Sequence, residues 1–273
     1  MSLFQLDSAL RYNKSSGEAL DSPWKSLTAA TATFRKPQLV LIASAPGGGK
    51  SALALNLAVK SGASCIYFSA DSGPRTQLVR AMSIVTGRET TEVEAAMEKG
   101  YTFDREMASL RRIWWEFDAG PSLDTIEESV LAHGYLGAYP DMCIIDNLMN
   151  VDPGDAESNE FKSLENILLF GLELSRSKNM CVVVLHHLTG EYEDGRTPPP
   201  LSALRGKVGK TPELILTLWR SSDDMEEALG EDQMGVAIVK NRDGIADPSA
   251  NYYVELDMNF ARMSITDSGL LVA

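Results

Sequence analysis

Positive charge is scarce in this chain: 25 lysines and arginines stand against 38 aspartates and glutamates in 273 residues, a formal net charge of −13. That balance excludes a generally basic, unselective surface, so any nucleic-acid partner has to be met by a few local cations. Cysteine is scarcer still. The three residues Cys65, Cys143 and Cys181 are odd in number, form no CxxC pair, and each lies in an apolar run ("CIYF", "CIID", "CVVVL"). This pattern predicts buried, reduced thiols of a cytosolic protein instead of a disulfide framework. The opening "MSLFQLDSAL" lacks the basic start and apolar core of a signal peptide. No apolar run approaches the ~18 residues of a membrane span, so no membrane partner is expected. Internal repeats are absent too. What is present is ordinary for a soluble globular chain, 44% hydrophobic and 23% charged, long enough for one large α/β domain or two small ones.

The chain divides at about residue 21. Within 3–12, "LFQLDSALRY", Leu3, Leu6 and Leu10 share one helical face. "NKSSGEALDSP" then breaks the pattern. Residues 1–21 thus read as an arm that packs either on its own domain or on a neighbouring subunit. From Gln38, apolar runs ("QLVLIAS", "CIYFSA", "IWWEFDA", "MCIIDN", "MCVVVLHHL") alternate with helical patterns at about 51–60, from Pro74, after Ser122 and around 161–175. Ser122 is placed as an N-cap. Continuous apolar strands separated by helices predict a mainly parallel sheet covered on both faces. "ELILTLWR", "GVAIVKN" and "NYYVELD", joined by short turns, predict an antiparallel edge. The stretch 189–213, with "TPPPLS", reads as a mobile surface loop.

"SAPGGGKS", Ser44-Ala45-Pro46-Gly47-Gly48-Gly49-Lys50-Ser51, joins a strand to a helix and fits the P-loop pattern, with Ser44 where glycine is usual. Glycines let backbone N–H groups close around phosphate oxygens. Lys50 supplies a cation to the β/γ-phosphates of ATP, and Ser51 a hydroxyl to Mg²⁺. Asp146, at the end of "MCIID", is positioned as the second magnesium carboxylate. Asn147 follows it, so the carboxylate that polarises water must come from elsewhere. Asp71, just past "CIYFSA", is the candidate, with a cap on the helix entered at Pro74 as the alternative. The GTPase base-reading motif is missing, since "KNRD" has its first two residues in the wrong order. No arginine-rich lid of a small-molecule kinase is found.

Near the end, "VAIVKNRDGIADP" places Lys240 and Arg242 two residues apart, on one side of a strand. A solvated hairpin tip turning at Asp243-Gly244 accounts for them on local grounds.

Together these segments resemble the RecA-like ATPase domain of DnaB-type replicative helicases, including the helicase half of phage primase-helicases. The resemblance covers roughly residues 22–262 and implies an α/β, RecA-like P-loop NTPase over 22–273. "FSADSG" is similar to the strand end carrying the family's catalytic glutamate, here Asp71, and "CIIDNLMNV" to its Walker-B strand. "VVVLHHL" is similar to the strand whose polar end senses the γ-phosphate, which places His187 in that role. "RTPPPLSALRGKVGKTPELILTLWR" is similar to a loop that contacts single-stranded DNA, implicating Arg205, Gly206, Lys207 and Lys210. "IVKNRDG" is similar to the strand whose lysine and arginine, here Lys240 and Arg242, reach the neighbouring subunit's ATP. The resemblance implies a homo-oligomer, a hexameric ring with nucleotide at its interfaces, that works with replication proteins. In a ring, six copies of a small basic loop line one channel, so few cations per chain suffice.

The departures are specific. Asp71 is one methylene shorter than glutamate, and Ala203 stands where the family has an acid before Leu204-Arg205-Gly206. The family's primase-engaging N-terminal domain has no counterpart here, a stand-alone form of a kind seen in phages. Two other activities remain on the same fold. One is a metal-dependent DNA nuclease using Asp152, Asp155, Glu157 and Glu160. The other is a nucleotide-gated scaffold for replication or recombination proteins.

Overall fold

The computed structural model describes residues 17–154, 160–220 and 232–272, with backbone alone at Lys207 and over 269–272. The expected arm helix at 3–12, Asp155, Glu157 and the Lys207 side chain lie outside the described residues.

A small ribbon, β1 (Glu18–Ala19) with β2 (Arg35–Lys36), flanks a short helix α1 (Lys25–Ala29). The main sheet is then laid down by β3 (Gln38–Ser44), β4 (Cys65–Ser69), β5 (Ile113–Glu116), β6 (Met142–Asp146), β7 (Cys181–His187) and β8 (Leu214–Arg220). It is completed by β9 (Asp232–Asn241), β10 (Tyr253–Asn259) and β11 (Ser264–Val272). Its order is β11-β10-β9-β8-β3-β7-β6-β4-β5. The six strands from β8 to β5 are parallel, and β9 to β11 add the antiparallel edge.

Alternation along β3 shows why the run from Leu39 to Ala43 is apolar. Val40 and Ile42 enter one core with Leu53 and Leu57 of α2 (Lys50–Lys60). Leu39, Leu41 and Ala43 enter the other. Burial on both faces favours apolar side chains at each of these positions. The opposite core is closed by Ile126 and Val130, from the helix that Ser122 opens, and by Leu164 and Leu168 from the long helix following β6. Ser122 Oγ accepts the Thr125 N–H as the sequence predicts, a cap worth about 1 kcal/mol. All three cysteines are buried and free. Among the described residues no helix is long and apolar enough to cross a membrane.

In chain order the remaining helices are α3 (Pro74–Thr86), α4 (Thr90–Glu98), α5 (Asp104–Leu110), α6 (Leu123–Gly134) and α7 (Glu160–Lys178). Sequence patterning does not anticipate α4, α5 or β11. A capping box opens α4, but it is built from Glu89 and Glu92 instead of the usual serine or threonine. The run of β11, "SITDSGLLV", mixes serine, threonine, aspartate and glycine without continuous apolar character.

Two expectations are corrected. The stretch 189–213 is not a mobile surface loop. It folds into 3₁₀ turns at Gly190–Asp194, Leu201–Ala203 and Arg205–Lys210, with Ala203, Leu204 and Val208 buried in the same core as Leu164. Its prolines and glycines mask the apolar anchors between them. Asp243-Gly244 is not a tight hairpin turn either, because β9 ends at Asn241 and β10 resumes only at Tyr253. The excursion instead docks on Thr31, whose Oγ1 accepts the Ile245 N–H at 2.9 Å. A Cβ on Gly244 would strike that hydroxyl. Glycine is needed there for close approach, not for a turn.

Candidate functional site

β3 ends at Ser44, and the chain loops through Ala45, Pro46, Gly47 and Gly48 to Gly49, the N-cap of α2, whose φ of 87° is left-handed. A Cβ on Gly48 would lie 2.9 Å from the Ser44 Cβ and 3.0 Å from the Ala45 carbonyl oxygen. Ser44, fully buried, donates its hydroxyl to that same carbonyl at 2.8 Å. The departure at Ser44 is therefore matched by Gly48, which leaves the space that the serine fills.

Lys50 opens α2 and is nearly buried. Burial pulls its pKa below the ordinary lysine value, opposed by the charges of Asp146 and Asp71. Ser51 Oγ donates to Asp146 Oδ1 at 3.2 Å, and the Tyr67 hydroxyl donates to Asp146 Oδ2 at 3.1 Å. Burial pushes the Asp146 carboxyl up, while the Ser51 and Tyr67 hydrogen bonds and the Lys50 charge pull it back. A hydroxyl and a carboxylate side by side beneath a phosphate loop fit magnesium, a hard cation that takes oxygen ligands and keeps several of its waters.

Tyr67 went unnoticed in the sequence because it stands inside an apolar strand. It is fully buried, stacked on Trp115 at 4.9 Å. Partners that orient a metal ligand are worth about 10–100-fold in metal affinity. Tyr67→Phe keeps the stack and removes the hydroxyl, so the magnesium concentration needed for binding a fluorescent ATP analogue should rise about tenfold. An unchanged magnesium titration would show that Asp146 needs no such brace.

Asp71 lies just past β4. It does not cap α3, whose N-cap is Gly73 with no side-chain cap. Its carboxylate instead accepts from Asn147 Nδ2 at 3.0 Å and from Asn150 Nδ2 at 3.3 Å. Asn147, standing where a second acid was missed, thus holds the acid that comes from the neighbouring strand. β7 pairs with β3 so that His187 lies opposite Ser44. His187 is half-buried, and its pKa is lowered by burial first and by the Lys50 charge second, with Asp71 opposing. A neutral imidazole beside a phosphate loop is a hydrogen-bond donor without a second positive charge. The structure thus brings Lys50, Ser51, Asp71, Asp146 and His187 to one place.

Lys240 and Arg242 bond elsewhere. Lys240 Nζ donates to the carbonyls of Gly209 and Lys210 at 2.8 and 2.6 Å. Arg242, about half exposed, reaches Glu213 Oε1 at 3.5 Å. Of the basic segment, Arg205 is exposed and paired with Glu160 at 2.9 Å, Lys210 is exposed, and Gly206 is left-handed at φ 79° against Leu164 and Phe161. Asp152 Oδ1 is used in its own turn, accepting from Gly154 N at 2.9 Å. Among the described residues no cluster of three or more histidines, cysteines or acids suits a metal; of the four acids of the nuclease reading only Asp152 and Glu160 are among them, and Glu160 is paired with Arg205.

A family model described as the DnaB-like helicase C-terminal domain matches residues 19–262. The chain belongs to that family. The Gene 65 protein of Mycobacterium phage L5 is 39% identical over 259 residues, covering 93% of this chain and 95% of its own length. The Gene 65 protein of Mycobacterium phage D29 is 38% identical over 237 residues, covering 84% and 99%. Among solved structures, one described as an ATPase domain matches with a TM-score of 0.81 at 20% identity, covering 97% of this chain and 99% of its own. A DnaB-like replicative helicase, described with its interactions with primase, matches with a TM-score of 0.79 at 19% identity, covering 96% of this chain and 66% of its own. At those identities the structures speak for the fold, which is RecA-like as expected.

Within this DnaB-like domain, sequence reading missed two further groups. Met234, Met258 and Phe260 close on Gly49, and the Arg220 guanidinium lies over the Phe260 ring at 5.1 Å. The two methionines arrive from the antiparallel edge, Phe260 from just beyond it and Arg220 from the end of β8, all remote in sequence from the P-loop. Phe161, 58% exposed, stands beside Gly206 at a cavity of about 430 Å³ that Lys162 and Lys210 also line. An exposed aromatic at the start of a helix was the available signal.

Proposed function

We propose that this DnaB-like domain is an ATP-hydrolysing motor that assembles as a hexameric ring and binds or moves along single-stranded DNA in replication or recombination, in the cytoplasm of a host cell. The observation that carries the reading is the convergence of Lys50, Ser51, Asp146, Asp71 and His187, with Asp71 held by two asparagine amides instead of capping a helix. Lys50 meets the β/γ-phosphates, Ser51 and Asp146 hold magnesium, Asp71 orients the attacking water and His187 contacts the γ-phosphate. Magnesium, when bound, neutralises charge on the β- and γ-oxygens. Arg242, the cation less tied to its own chain, is the finger that reaches the next subunit's nucleotide. Arg205, Gly206, Lys207 and Lys210 form the DNA contact, with Phe161 offering a ring for base stacking.

The test is ATP turnover and DNA binding measured with one single-stranded oligonucleotide over a range of salt. Turnover should rise with DNA, and the oligonucleotide should stay full length. Replacing Arg205 and Lys210 with alanine removes two phosphate contacts, which should flatten the log–log salt dependence of binding by roughly 1.4, at about 0.7 per contact on a single strand. An unchanged slope would remove the DNA assignment of this segment. Degraded DNA in a Lys50→Ala protein would instead favour the nuclease.

A further inference from the structure

The segment Arg205–Lys210 is held at both ends by side chains outside the group of Lys50, Ser51, Asp71, Asp146 and His187. At its entry the chain runs antiparallel to the end of β7: Leu188 bridges Leu204, and Thr189 N donates to the Ala203 carbonyl at 3.0 Å. One residue further, His186 Nε2 meets the Arg205 carbonyl at 2.7 Å. A carbonyl only accepts, so the proton sits on Nε2. His186 is fully buried, and its Nδ1 has no partner. A ring that leaves one nitrogen unsatisfied in the core, which is unfavourable, is held there by its other nitrogen. Strand alternation then puts His186 and His187 on opposite faces of β7. His187 faces the P-loop, and its neighbour grips the basic segment.

At the exit, Lys240 Nζ donates to the Gly209 and Lys210 carbonyls. These are the last carbonyls of a 3₁₀ turn, left without partners by the turn itself. Lys240 is two residues from Arg242, on the strand that ends beside this segment. The two cations that the sequence presents as a pair are thus used differently. The Arg242 guanidinium is about half exposed, with a 3.5 Å contact to Glu213, whereas the Lys240 ammonium is committed to backbone within its own chain.

We propose that His186 and Lys240 are positioning residues that fasten the two ends of Arg205–Lys210, one to the strand bearing His187 and the other to the strand that ends just before Arg242. The inference rests on the reading of this segment as the DNA contact. DNA seated on the segment then shifts both anchors together. His187 responds at the subunit's own nucleotide, and Arg242 at the neighbour's. Rigid coupling needs both ends fixed, because a segment free at one end moves without carrying its strand.

Three variants test this in the full chain, with an oligothymidylate as the DNA probe. His186→Leu fills the core without a donor. His186→Gln keeps an N–H at a similar reach. Lys240→Met keeps the stem and removes the charge. His186→Leu should reduce the fold stimulation of ATP turnover by DNA by about fivefold or more, within the usual range of coupling between sites, and His186→Gln should restore most of it. A purely structural histidine would not give that contrast. Amide hydrogen exchange of residues 203–211 should speed up in both His186→Leu and Lys240→Met. If the parent is stimulated by DNA and His186→Leu is stimulated equally, the tether is overturned while the motor stands. Exchange unchanged in Lys240→Met also overturns it. A parent protein that DNA does not stimulate overturns both the tether and the DNA reading beneath it.

Discussion

Arg242→Ala protein is expected to lose ATP turnover by about 10³-fold or more, the scale on which arginine fingers act in nucleotide hydrolases, while still binding ATP. The Arg242 guanidinium is about half exposed, with one 3.5 Å contact to Glu213, so its removal leaves no buried charge behind. Glu213 keeps Arg176 at 3.2 Å and still accepts the Leu39 N–H. The loss is therefore chemical, not a failure to fold. Lys50→Ala should be equally inactive for the opposite reason, because its own P-loop lacks the phosphate cation. Mixing the two separates a finger acting in trans from one acting in cis. In a randomly assembled ring of equal parts, about a quarter of interfaces join an intact P-loop to an intact finger. Turnover should recover toward that fraction. Failure to recover, with co-assembly shown by pull-down of differently tagged chains, would count against a site shared between subunits. Full activity of Arg242→Ala alone would return these cations to a surface loop.

How much of this was legible depended on where the determinants lie. Period announced the parallel strands, because a strand covered on both faces is apolar along its middle, as β3 is over Leu39–Ala43 and β7 over Cys181–Leu185. The P-loop was legible because its residues are consecutive and its steric demands local, and Gly48 against Ser44 shows how local. Contacts that close across the fold were not. The tyrosine on Asp146 comes from a neighbouring strand, the wall on Gly49 from the far end of the chain, and the anchors of Arg205–Lys210 from β7 and β9. The role of Asp71 was open in the sequence, since an acid two residues before Gly73-Pro74 reads equally as a cap. Only the hydrogen bonds from Asn147 and Asn150 separate the two readings.

Those two amides make the substitution at Asp71 the sharpest probe of the chemistry. A carboxylate that polarises water contributes about 10²–10⁴-fold in rate. Asp71→Asn should lower single-turnover hydrolysis by that order and leave affinity for a fluorescent ATP analogue unchanged within about twofold, because the lost function belongs to the transition state. The fold has little reason to respond. Asp71 is exposed and does not cap α3, and an asparagine still presents one oxygen to the two amides. Asp71→Glu gives the complementary test. The family's usual glutamate extends one methylene past Asn147 and Asn150, which are set for the shorter acid. Its turnover should fall between parent and asparagine variant, and Asn147→Ala should narrow the gap between aspartate and glutamate by removing the amide that fits only the shorter one. Hydrolysis by Asp71→Asn within about threefold of the parent would leave no room for a general base of ordinary strength here, and the water-orienting group would have to be sought on another strand.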